Sequence, residues 1–164
     1  MEPALAAKFL HILAAMAWVV GLVGRSILIG AAARSTSMVV TDVLLDTVAP
    51  FERLVIWSSV GVIAFGLATA WLQSLPILGA LQSGAVNWVL ISLVLFIGMQ
   101  LTLVPTILIP GGRVFEIARQ GARRIGKRTP ELQAAFNDSR VRVAHGVEFA
   151  VTLFLIAVMV LKPF

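Results

Sequence analysis

Phe9-Leu10-His11-Ile12-Leu13-Ala14-Ala15-Met16-Ala17-Trp18-Val19-Val20-Gly21-Leu22-Val23-Gly24-Arg25 is an apolar run long enough to cross a bilayer, yet it carries His11, Trp18 and Arg25. Those three residues are spaced seven apart. At about 3.6 residues per turn, this spacing stacks them with Ala14 and Leu22 on one stripe, while Val19, Val20 and Val23 point elsewhere. Polar groups exposed to lipid are costly, so the stripe is expected to face other helices.

Three more runs reach spanning length, giving four spans at about residues 4–28 (the helix running on to 33), 54–72, 88–109 and 143–161. With 59% hydrophobic residues and a mean hydropathy of +0.98, residues 1–164 read as a single all-α domain, an integral membrane four-helix bundle. The N-terminus resembles a signal peptide, with Lys8 ahead of an apolar run and Ala31-Ala32-Ala33 as a cleavage site. That run is too long, however, and Arg25 interrupts it, so it is expected to be a retained span. Cysteine is absent, which excludes disulfides, thiolate metal sites and cysteine redox chemistry. Two histidines and five methionines leave room only for a sparse metal site. The basic residues flank spans instead of alternating with exposed aromatics, so they point to orientation and membrane lipids, and no nucleic acid partner is expected.

Between the first two spans, Val40, Val43, Leu44 and Val48 recur at helical spacing, with Asp42, Asp46 and Thr47 facing away. This predicts a short helix on the membrane surface, after which Pro50 sits in the first turn of the second span. Residues 73–87 carry no charge. Residues 111–142 hold eight Lys/Arg against Glu116, Glu131 and Asp138. There, Arg123, Arg124 and Gly126 mark a helix end, and Thr129-Pro130-Glu131 marks a helix start. The third and fourth spans should therefore project as a basic cytoplasmic helical hairpin extension, with Val114, Ile117, Gly121 and Ile125 facing Leu132 and Phe136. Eleven Lys/Arg fall on the side of this hairpin and only Lys8 and Lys162 on the other. The positive-inside bias then predicts an N-out/C-out, multi-pass protein of a bacterial inner membrane.

If Lys8 and Lys162 mark the outer interface, residues of the first and fourth spans at equal depth have numbers summing to 170. His11 is then level with Met159, Trp18 with Thr152, and Arg25 with His145. In the fourth span His145, Glu148, Thr152 and Met159 share a face, so the two polar stripes can meet. A carboxylate inside the bilayer needs a cation, and Arg25 is the favoured partner of Glu148. The two histidines differ by fourteen residues in depth, or about 21 Å, too far to share one metal.

The pattern Leu10-His11, Trp18 seven residues on, then Gly21-Leu22, resembles the first helix of two bacterial membrane families, the copper-resistance protein D type and the HemJ-type protoporphyrinogen oxidases. The ending Val158-Met159-Val160-Leu161-Lys162-Pro163, with the four-span layout and long basic third loop, is similar to a related family of integral membrane proteins of unknown function. The HemJ-like resemblance implies haem b on the histidine of the motif, which is His11 here. Those enzymes also use a lysine in a later helix, and residues 88–109 contain none. The lysine and Asn-Arg features of the copper family are missing from that span too. The resemblance therefore extends to the fold and a haem ligand.

The resemblance, taken with these residues, implies a haem b-binding inner-membrane protein in electron transfer or redox chemistry near the outer face. The expected axial iron ligand is His11, with Trp18 beneath it and Met159, water, an open position or His11 of a second subunit in a homodimer opposite. Quinone or a redox partner protein would exchange the electrons. The plainer reading makes His11 an interfacial histidine bonded to Asn87 or to headgroups. Arg25, His145 and Glu148 form either a proton or quinone site or a structural ion pair locking two helices. The alternatives are a non-catalytic membrane subunit or assembly factor without cofactor, and a copper permease using Met16, Met99 and Met159, which are also ordinary core filler. No phosphate-binding glycine loop, carboxylate dyad or Ser/His/Asp set is present, so hydrolytic and nucleotide-dependent chemistry has no residues to carry it.

Overall fold

The computed structural model describes residues 2–79, 82 and 87–162. Four of its helices are long and apolar enough to cross a membrane, and no strand occurs among the described residues. Helix α1 runs Pro3–Arg34, its proline placed where a missing N–H does no harm. Ser35 and Ser37 form the turn into α2, Met38–Leu72, where the Val40 amide donates to the Ser37 hydroxyl. Helix α3, Trp88–Leu103, is capped by Asn87 and runs through a π-helical segment, Val104–Leu108, into α4, Ile109–Ile125. Pro105 cannot donate to the ladder, and the wider turn absorbs its ring without ending the helix. Gly126, at φ 70°, closes α4. Thr129 then caps α5, Pro130–Phe136, and Asp138 caps α6, Ser139–Leu161.

Two expectations about the connections are overturned. Residues 38–53 form no separate surface helix, and Pro50 lies inside a single 35-residue helix instead of in a first turn. Thr41, Val48, Val55 and Val62, seven apart, are all buried. One unbroken helix keeps this stripe in register against α1 on both sides of Pro50. Asp42 and Asp46 also do not face away: Arg119 of α4 lies 2.7 Å from Asp42 and 2.5 Å from Asp46.

The hairpin of α4 and α5 forms, but on a different face from the one expected. Val114, Ile117 and Ile125 are exposed. It is Phe115, Ala118 and Ala122 that pack with Leu132, Phe136 and Met38. Alanine at 118 and 122 lets α5 approach closely, and Phe115 meets Phe136 edge-on at 5.0 Å. Arg128 lies over Phe136 and donates to the carbonyls of Ala33 and Ser35, thereby capping the C-terminus of α1.

The main core joins Trp18, Leu22, Val55, Val62, Phe96, Met99 and Leu155 from α1, α2, α3 and α6. Close approach of α1 and α2 depends on small residues. A side chain at Gly24 would run into the Phe51 ring, and one at Gly66 would come within 3.0 Å of the His11 imidazole.

Candidate functional site

A cavity of about 700 Å³ opens between α1, α2, α3 and α6. This is within the range of about 300–1,000 Å³ typical of small-molecule sites. His11, Trp18 and Met159 line it, together with Thr152 and Ser92. Lys8, Trp88 and Lys162, near the start of α1, at the start of α3 and at the end of α6, line the end of it where both lysines are exposed.

His11 is held through one nitrogen. Its Nδ1 lies 3.0 Å from the Val62 carbonyl of α2, and because a carbonyl can only accept, the proton is on Nδ1. Nε2 therefore carries the lone pair, and no described residue bonds to it. Histidines that ligate metals are commonly oriented in this way, by donation from the other ring nitrogen to a backbone carbonyl. The bare backbone at Gly66 makes room for the ring. Asn87 is not its partner, since it caps α3 and donates to the Pro76 carbonyl.

Below His11, Trp18 is 3% exposed and meets Phe96 edge-on at 5.0 Å. The Trp18 Nε1 and Ser92 Oγ atoms are buried without a hydrogen-bond partner among the described residues. Both side chains belong to the cavity wall. The walls are otherwise mainly aliphatic and aromatic, suited to a flat apolar ligand approached by one imidazole.

Deeper still, the second cluster closes on itself. Arg25 Nη2 donates to Glu148 Oε2 at 2.6 Å and to His145 Nδ1 at 3.0 Å, and that same nitrogen lies 3.3 Å from Glu148 Oε2. The Arg25 and Glu148 side chains are only 12% and 5% exposed, so each charge is neutralised by the other and not by water. Thr152 links this cluster to the cavity: its hydroxyl donates to the Glu148 carbonyl at 2.7 Å and its side chain lines the cavity.

The structure therefore brings His11, Trp18 and Met159 to one cavity, and Arg25, His145 and Glu148 into mutual contact beneath it. Sequence reasoning does not reach Val62 or Gly66, whose parts are a backbone carbonyl and a missing side chain. Met16, although 60% exposed, lines the same cavity as Met159, whereas Met99 packs in the core. Among the described residues no three His, Cys, Asp or Glu side chains gather to hold a metal ion. Compared with known proteins, the chain matches no family model, no curated protein and no solved structure.

Proposed function

We propose that this is a haem b-binding protein of a bacterial inner membrane, in which His11 would hold the iron and Met159 lines the same cavity. One observation supports the reading above the others: His11 is anchored through Nδ1 to a backbone carbonyl, and its unpartnered Nε2 belongs to a ring on the wall of an apolar cavity. Haem would supply reversible one-electron chemistry there. The chain's own residues orient the imidazole, exclude water with Trp18 and Phe96, and hold a proton at Nδ1. Both termini lie on the outer side in this reading, with the basic α4–α5 hairpin in the cytoplasm against anionic lipid, as the distribution of eleven against two cations favours. Electrons would pass near the outer face to or from quinone or a redox partner protein.

A second reading, a membrane subunit or assembly factor without cofactor, is favoured by the Arg25–Glu148 pair, which is complete without any ligand. Quantifying haem, iron and copper in protein purified in detergent separates the readings. About one haem per chain or per pair of chains supports the proposal. Protein free of haem and metal supports the second reading, and stoichiometric copper without haem supports a permease.

A further inference from the structure

Two cations at the cavity mouth have no part in holding iron. Lys8 and Lys162 both line the cavity, both are exposed, and neither forms an ion pair among the described residues. Lys162 is placed rather than free: its ammonium sits 5.6 Å from the centroid of the Trp88 ring. The two walls also repeat one order. Lys8 stands three residues before His11 on α1, and Lys162 three residues after Met159 at the end of α6. By helix rise the backbone of Lys8 lies about 4.5 Å nearer the end of α1 than that of His11, and Lys162 closes α6 just beyond Met159.

An apolar cavity with a pair of unanswered cations at its rim selects an amphipathic anion whose charge lies along one edge. We infer that Lys8 and Lys162 bind the two carboxylates of a porphyrin, the propionates of haem b, and so fix the macrocycle edge-on with its charged side at the mouth. This rests on the haem reading above. Lysine stems can lie along the apolar rim while their ammonium groups make charge-assisted hydrogen bonds at the water boundary. Among the described residues, Lys8 and Lys162 are the only Lys or Arg side chains that line the cavity.

The test titrates the full apo chain in detergent with haem and with haem dimethyl ester, which lacks the two charges, and follows the Soret band. The wild type should bind haem at least about tenfold more tightly than the ester, corresponding to one charge-assisted hydrogen bond or more. K8Q/K162Q should lose that preference while binding the ester as the wild type does, and K8R/K162R should keep it. A preference that survives in K8Q/K162Q, or equal affinities in the wild type, overturns the inference. The latter result is also the one expected if the lysines serve lipid headgroups. Binding of neither porphyrin by the wild type overturns the haem reading and this inference together, whereas equal binding of both leaves the haem reading standing.

Discussion

His145 Nδ1 lies 3.0 Å from a donor on Arg25 and 3.3 Å from an acceptor on Glu148, and a single ring nitrogen cannot satisfy both at once. The Arg25–Glu148 bond, at 2.6 Å, is the shortest of the three contacts and holds the cluster together. Removing one member of a buried pair strands the other. Glu148→Gln with Arg25 retained should cost about 3–5 kcal/mol of stability. Adding Arg25→Met should return part of it, with a coupling of about 0.5–3 kcal/mol in thermal unfolding of the four variants. Absence of coupling would contradict the pair. At the other histidine, Gly66→Ala would press a methyl group against the His11 ring, at 3.0 Å from Cε1 and 3.1 Å from Nδ1. Haem affinity is expected to fall in that variant and to be unchanged in Gly98→Ala, where an added methyl meets nothing within 4 Å. Arg25, Glu148 and His145 are legible in the sequence because a charge in a span must find its opposite at the same depth. Val62 and Gly66 are not, because a carbonyl is common to every residue and an absent side chain has no chemistry of its own to read.

At the scale of elements, α2 shows how local signals mislead. Pro50, with Asp42, Asp46, Glu52 and Arg53 around it, has the composition of a boundary. The competing signal is the burial of Thr41, Val48, Val55 and Val62, a stripe that a break would throw out of register. Tertiary packing along α1 outweighs the lost backbone bond. Pro50→Ala should leave the helix intact and raise the stability of the purified protein, by up to about 3 kcal/mol. A proline in a first turn would give no gain. The α4–α5 hairpin illustrates a related ambiguity. Two apolar stripes adjoin on α4, and periodicity alone ranks the bulkier Val114–Ile117–Ile125 stripe first. Contact with α5 selects the other, because Ala118 and Ala122 permit a closer approach.

As a whole, the molecule has two unlike ends. At one, Arg119, Arg123 and Arg128 tie the hairpin to the α1–α2 turn through Asp42, Asp46 and the carbonyls of Ala33 and Ser35. At the other, the four long helices part around a cavity rimmed by lysine. The number of spans follows from length and hydropathy, and the pairing of stripes from the sum of 170. The cavity itself could not be read in advance, since empty space is a property of how helices pack and not of any one of them. Thr152, which lines the cavity and donates to the backbone carbonyl of Glu148, lies one turn along α6 from the Arg25–His145–Glu148 cluster. The central claim is that this cavity is built for haem held by His11, and the reduced-minus-oxidised absorption spectrum of the purified protein tests it most directly. The account predicts b-type α and Soret bands in the wild type that are lost in a folded His11→Ala variant. Bands of equal size in both proteins, or no bands in the wild type, would contradict it.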